Sequence, residues 1–364
     1  MPLTEALDAL SNAAASLDRE QVLWSGLDVP LEVIEAAGYR PARLSGLFDV
    51  PATPQMAALS EGVGHPLMRA VMAQLEASTA RCAFTLFGAT PVKGVWLYNL
   101  LISLGAEAPP CHPLLVDLIH SPQDSALTHN RQAMAALVQG LDQDLAVAPN
   151  GRLSVAIKAR NRVRALLRQI ETHRYAPQPT LDGQSALKLI CAAENLPAQT
   201  AIPLLENALH ALQSAPVIAQ TPDIYSGTGG QSPALYPALA SVSFNIVGDD
   251  QPFGSRAIGP DVDETTEPLA ALATRYRLRD PEPAGWSRAE RTDYLAAMAV
   301  ARGVRAVIFD IAPFDHPAAW DQPVQAEALA KVGVAAVIAP QGAQLNTSER
   351  AAECARRLIE AAHV

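Results

Sequence analysis

Along the chain, short apolar runs alternate with longer segments whose apolar residues recur every three to four positions, the pattern of strands followed by helices. Residues 3–19 read as an amphipathic helix and QVLWSGLDV as a short strand. Pro30 opens the helix LEVIEAAG, which stops at Gly38, and Arg40 to Leu47 returns to extended structure. Pro51 and Pro54 bracket a loop before HPLMRAVMAQLEA, where Leu67, Val71 and Leu75 share one helical face. The strand CAFTLFG, the helix ATPVKGVWLYNLLISLG and the strand PLLVDLI follow. Strands alternating with helices of this length predict a parallel sheet with helices on its faces.

Between residues 126 and 214 helix follows helix with no strand candidate, and Pro, Gly or Asn separates the segments. Four arginines there, Arg160, Arg162, Arg164 and Arg168, read as a solvated helix face rather than a ligand clamp. Strand-helix alternation resumes with PVIAQTPDI at Pro216 and the Gly-rich turn and helix SGTGGQSPALYPALASV. Phe244, Ile246 and Val247 read as a buried strand that leaves the core at Gly248. EPLAALATRYR and WSRAERTDYLAAMAVARGV are helices, the second capped by Ser287. VRAVIFDIAP and VAAVIAP are near-continuous β-branched runs, as strands buried on both faces should be. SERAAECARRLIEAAH forms the last helix. The pattern predicts an N-terminal helix (1–19), a first parallel-sheet α/β domain (20–125), a helical connector (126–214) and a second α/β domain (215–364), with no evident internal repeat.

Composition narrows the function classes. With 49% hydrophobic and 18% charged residues the chain is globular, and a net charge of −10 without a Lys/Arg block excludes a nucleic-acid surface, which needs a basic face. No window reaches the ~18 uncharged apolar residues of a membrane span. The first twenty residues carry early acids and no basic n-region, so a secretory signal is not expected and the location implied is cytoplasmic. Cys82, Cys111, Cys191 and Cys354 lie far apart with no CxxC spacing, which argues against a disulfide framework and a cysteine metal site.

Two stretches carry candidate chemistry. In SGTGG, the backbone N–H groups of Ser226, Gly227, Gly229 and Gly230 could cradle an anion after a strand, although the segment matches neither the P-loop nor the dinucleotide fingerprint. In NIVGDDQPFGSRAIGPDVDE, Asp249, Asp250, Ser255 and Arg256 cluster just beyond a strand end, where α/β sheets bind ligands. The competing reading is plain turn chemistry, with Arg256 paired to Asp261 or Asp263. Ser226 is not in a GxSxG elbow, so a Ser-His-Asp hydrolase is unsupported and no catalytic residue is assigned.

YSGTGG, FNIVGDDQPFGSR, LATRYRLRDPEPAGWSRAERTDYLAAMA and RAVIFDIAPFDHPAAWDQPVQAEALAKVGVAAVIA, with AAGYRPARLSG, HPLMRAVM, TPVKGVWLYNLL and LLVDLIHSPQDSALTHNRQAMAALVQGL upstream, together resemble the D-component family of 2-hydroxyacyl-CoA dehydratases and benzoyl-CoA reductases. The resemblance covers the chain from about Gly38. It implies two flavodoxin-like (Rossmann-like) α/β domains plus helices, pairing with a related subunit, and a cysteine-held 4Fe-4S cluster. That cluster takes an electron from an ATP-driven activator to reduce an acyl-CoA thioester, in dehydratase (lyase) or aryl-CoA reductase chemistry.

The chain departs from that pattern where it matters most. The family's cluster cysteines fall on His65, Val92 and Asp315, and the cysteine common in its Gly-Asp-Asp-x-Cys turn falls on Pro252. His65 and Asp315 suit zinc or non-haem iron by donor type, yet two ligands fall short of the three such sites need, so both read as turn caps. The resemblance therefore implies a cluster-less member with no cofactor of its own, the cluster being carried by a partner subunit. Its Gly-rich loop and acidic loop would bind or shape an acyl-CoA site. Its partner would be a homologous cluster-bearing subunit or a second copy, and it would not be catalytic alone. The alternative is a stand-alone regulatory or binding protein of the same fold without redox activity, and a third reading is an enzyme with replacement chemistry.

Overall fold

The structure, a computed structural model, describes residues 2–15, 21–44, 82–88, 93–105, 112–142, 149–218, 223–227, 235–251, 253–277, 286–311, 315–340 and 347–362. The predicted helix at 65–77 lies outside them.

The first sheet is built from β1 (Gln21–Ser25), β2 (Arg40–Arg43), β3 (Cys82–Gly88) and β4 (His112–Val116), all parallel, in the order β2-β1-β3-β4. Pro41 and Pro113, which cannot donate to a ladder, stand in the two edge strands. The second sheet, β5 (Asp223–Gly227), β6 (Asn245–Asp249), β7 (Ala306–Phe309) and β8 (Ala335–Ile338), is also parallel, in the order β6-β5-β7-β8. The two sheets thus share one flavodoxin-like strand order, a structural repeat that left no trace in the sequence.

Helices α1 (Leu3–Ala15), α2 (Leu31–Ala36), α3 (Lys93–Leu104), α4 (Asp124–Leu141), α5 (Pro149–Thr172), α6 (Gly183–Glu194) and α7 (Ala198–Leu212) accompany the first sheet and the connector. Helices α8 (Leu235–Ala240), α9 (Ser255–Ile258), α10 (Pro268–Arg277), α11 (Arg288–Ala301), α12 (His316–Lys331) and α13 (Thr347–Ala362) follow. No strand occurs among the described residues between Asp124 and Ile218.

At 24 residues, α5 runs roughly 36 Å at 1.5 Å per residue. Leu153, Ala156 and Ile157 join the core beneath the first sheet, with Val22, Trp24, Leu86 and Val116. Val163, Leu166, Leu167 and Ile170 join the helical core of α1, α6 and α7. Val262, Ala271, Leu272 and Tyr276 also pack into the first core, although they follow strands of the second sheet in sequence.

Around the second sheet the period-2 alternation is explicit. Ile246, Ala306, Ile308 and Val337 face α6, α8 and α13, whereas Val247, Val307 and Phe309 face α11 and α12. That two-sided burial is why β7 reads as an unbroken apolar run. β8 does not fit the same expectation: it is an edge strand, and Ile338 is 42% exposed.

Four further expectations need correction. β5 begins at Asp223 rather than Pro216. β6 continues through Gly248 to Asp249, every residue buried. α12 was not anticipated. Arg160 and Arg164 are buried, not solvated, while Arg162 and Arg168 keep the exposed positions.

Candidate functional site

In an open α/β sheet, ligands bind beyond the strand carboxyl ends where the strand order reverses. With the observed orders, that point falls between β1 and β3 in the first sheet and between β5 and β7 in the second.

At the first point the backbone of β3 meets the loop after β1. A Cβ on Gly88 would sit 2.0 Å from Oδ1 of Asp28, so only glycine lets the two approach. Asp28 is buried, and His120 places Nε2 3.5 Å from its Oδ2. Nδ1 of His120 lies 2.8 Å from the carbonyl oxygen of Arg277. A carbonyl can only accept, so Nδ1 carries the hydrogen, and the ring links this sheet edge to the end of α10. Neither Asp28 nor His120 stood out in the sequence, being single polar residues after apolar runs. At the second point, Gly227 ends β5 and Asp310 follows β7, where it pairs with Arg350 of α13.

The acidic turn sits beside that second point, because Ser226 is in register with Asp249. Ser226, Gly227, Asp249 and Asp250 therefore come together at one carboxyl edge. Gly229, Gly230 and Pro252 lie outside the described residues, as do His65 and Val92. The turn is tightly held. Asp249 accepts from Ser255 N at 2.8 Å, from Gln251 N at 3.2 Å and from Nη2 of Arg174 at 3.1 Å. A Cβ on Gly254 would come within 2.1 Å of Oδ1 of Asp249, so the chain can close over the carboxylate only at a glycine. Ser255 donates its hydroxyl to Glu171, and Glu171 also pairs with Arg174 and, at 3.3 Å, Arg302. Burial alone would raise the Glu171 carboxyl, but Arg174 and Arg302 outweigh it and hold it below the usual range. Burial and the Asp249 carboxylate push the Tyr236 phenol well up.

Arg256 does not pair with Asp261 or Asp263. Its Nη1 donates to the carbonyl of Asp250 at 3.1 Å within the same turn. Asp261 instead takes Arg168 at 2.7 Å and Arg164 at 3.5 Å, and Asp263 bonds Thr265 and Thr266. Glu171 and Arg174 hold the turn from 84 and 75 positions away in sequence, Arg302 braces β6 from 55 positions away, and no local pattern points to them.

A second charged cluster joins the two halves. Arg164 reaches Glu32 at 2.8 Å, Arg160 pairs with Glu35, Arg43 pairs with Glu194, and the Tyr276 hydroxyl donates to Glu32 at 2.8 Å. Burial would raise the Glu32 carboxyl, but Arg164 and Arg275 overcome it and hold it at about 2.

Whether this chain could hold an iron–sulfur cluster is a question of donors, since such clusters take thiolates. Burial first, with Glu194 adding to it, pushes the Cys191 thiol up to about 12, and burial takes Cys354 to about 11, so both favour the protonated form. Cys191 donates to the carbonyl of Phe253 at 3.4 Å, and Cys82 opens β3 at the sheet end opposite the strand carboxyl termini. Cys111 lies outside the described residues. Asp315 is the N-cap of α12, its Oδ1 accepting from Ala318 N at 3.2 Å. Among the described residues, no three His, Cys, Asp or Glu side chains converge as a metal site. Among the described residues, the donor set does not fit a cubane cluster.

A comparison with protein families matches residues 27–339 to the 2-hydroxyglutaryl-CoA dehydratase D-component. The chain belongs to this D-component family. A search of curated proteins gave no match to the chain. The family match runs from just after β1 to just past β8 and takes in the helices between them, so the chain is a member of a 2-hydroxyacyl-CoA dehydratase-type system, a multi-subunit system. Among the described residues, no helix is long and apolar enough to cross a membrane.

Proposed function

We propose that this D-component relative is a cluster-less partner subunit that binds or shapes an acyl-CoA site in a dehydratase- or reductase-type complex. Asp315 carries the reading: where the family resemblance expects a cluster cysteine, this chain has a carboxylate bonded to the first turn of α12. A cap of this kind stabilises a helix by roughly 1 kcal/mol and leaves that oxygen unavailable to iron. The raised thiols of Cys191 and Cys354 point the same way.

The acyl-CoA part of the proposal is supported by the shared edge of β5 and β6, which sets Ser226 and Gly227, the start of the Gly-rich sequence, beside the acidic turn. The backbone N–H groups of that segment suit a phosphate or thioester oxygen. The turn is held rigid by Arg174, so its role is to position backbone rather than to offer a free carboxylate.

The test is anaerobic co-expression with a cysteine-complete homologue, followed by calorimetric titration with acyl-CoA thioesters. The expected result is a stable complex that binds a thioester. No complex and no heat with any thioester would overturn the proposal in favour of a stand-alone regulatory protein.

A further inference from the structure

Beneath the charged cluster lies a cavity of about 40 Å³, walled by β1, α2, α5, α6, α9 and α10. A water needs ~10–15 Å³ on this measure, so there is room for a few waters or one small ion and none for a coenzyme. Trp24, Arg160, Arg164, Arg275, Tyr276 and Glu194 supply its polar lining. Trp24 and Arg160 are each 3% exposed and Arg164 is 6% exposed.

The hydrogen-bonding balance of this lining is one-sided. The indole Nε1 of Trp24 and the Nε of both Arg160 and Arg164 are buried without a hydrogen-bond acceptor, Arg164 Nε having only Asp261 Oδ1 at 3.5 Å. All three are N–H groups that can only donate. The one carboxylate among the described lining residues, Glu194, is taken by Arg43, whose guanidinium also stacks on the Trp24 ring at 4.8 Å. A water here would satisfy donors but bring two hydrogens of its own to a wall already rich in them. An acceptor-only occupant would not.

Charge points the same way. The described lining itself carries three guanidinium groups, Arg160, Arg164 and Arg275, against one carboxylate, Glu194. At the exposed rim Arg168 and Asp261 cancel, and the nearby Arg40 guanidinium is bonded to the terminal carbonyls of α1. Buried charge is costly unless it is compensated.

We propose that this cavity binds one small monovalent anion, of halide or formate size, held by Trp24 Nε1 and the guanidinium groups of Arg160 and Arg164. The bound anion ties β1 and α2 of the first half to α5, α6, α9 and α10. This site is separate from the edge of β5 and β6, and it stands whether or not that edge binds a thioester.

The probe is chloride, exchanged for gluconate at constant ionic strength, because gluconate is too large for the cavity. The full-length chain is unfolded thermally across a chloride series, and a bromide-soaked crystal is measured for anomalous scattering. Once the site fills, Tm is expected to rise by roughly 2–3 °C for each tenfold increase in chloride. Trp24→Phe, which keeps an aromatic ring at the position and removes the N–H donor, is expected to move the onset to roughly tenfold higher chloride. A bromide peak should lie within hydrogen-bond distance of Trp24 Nε1 and Arg160 Nε. A Tm indifferent to chloride with no peak in the cavity would overturn the proposal and leave the space to water. A chloride response unchanged by Trp24→Phe, with bromide peaks only elsewhere, would overturn it equally.

Discussion

Arg174 and Asp249 meet at 3.1 Å with neither side chain exposed to solvent, and this pair fixes the acidic turn of the second sheet to the end of α5. Nη2 of Arg174 also donates to the carbonyl of Ile246 at 3.0 Å, and its Nη1 bonds Glu171 at 2.6 Å. The guanidinium thus serves two carboxylates and one strand carbonyl at once, and those neighbours raise its own pKa despite burial.

Removing that arginine takes the ion-pair partner from the buried Asp249 and leaves Glu171 with Arg302 alone. Arg174→Met is expected to cost about 3–5 kcal/mol of unfolding free energy, measured by urea titration at pH 7. Adding Asp249→Asn to Arg174→Met should recover part of the loss, since one uncompensated charge is then gone. Equal losses for the single and double variants would show that the pair is not the source of the cost.

Glu32 gives the fold an acid limb with a defined sign. Its folded-state carboxyl is held at about 2, below the ordinary 4.5, so its contribution is complete above pH 4.5 and is lost as pH falls toward 2. The shift corresponds to about 3 kcal/mol for this fully buried group. The stability gap between wild type and Glu32→Gln should therefore be widest above pH 5 and narrow by about that amount between pH 5 and pH 2, measured by urea titration at each pH. A gap independent of pH would remove the Arg164–Glu32 pair from the acid response.

Asp315 tests the helix-cap assignment. Asp315→Ala is expected to lose about 1 kcal/mol in the same titration, while Asp315→Asn, which keeps an acceptor, should lose only a few tenths. Equal losses would mean that the cap to Ala318 is not what the carboxylate supplies.

The strands were legible because two-sided burial in a parallel sheet leaves a continuous apolar run, as in Ala306 to Phe309, while Ala335 to Ile338 kept an apolar run although it lies at a sheet edge. The charged interior was not, because its partners lie far apart in sequence: Arg164 and Glu32 by 132 residues, Arg174 and Asp249 by 75. A helix face with arginines looks solvated until the glutamates that meet it are placed. Helix α12 was hidden for a different reason. Its buried stripe is Ala318, Asp321, Gln325 and Leu329, and the two polar members erase the apolar period. Asp321 tolerates burial because Arg291 of α11 donates to it at 2.7 Å. Of the candidate site, the common edge of Ser226–Gly227 and Asp249–Asp250 was readable from strand ends, whereas the role of Arg256 inside its own turn was not.

Arg256 separates ligand binding from turn structure. If its bond to the Asp250 carbonyl is its main duty, Arg256→Ala should lower stability by about 1–2 kcal/mol and leave the affinity of any acyl-CoA thioester within threefold of wild type. A tenfold or larger loss of thioester affinity with unchanged stability would make Arg256 a ligand contact.

Iron and acid-labile sulfide analysis of the anaerobically purified chain, alone and beside a co-expressed cysteine-complete homologue, bears most directly on the cluster-less subunit proposal. The expected outcome is far less than one cluster equivalent in this chain alone, with iron and sulfide appearing only in the complex. Near-stoichiometric iron and sulfide in the isolated chain, with the charge-transfer absorbance of a cubane cluster, would contradict it.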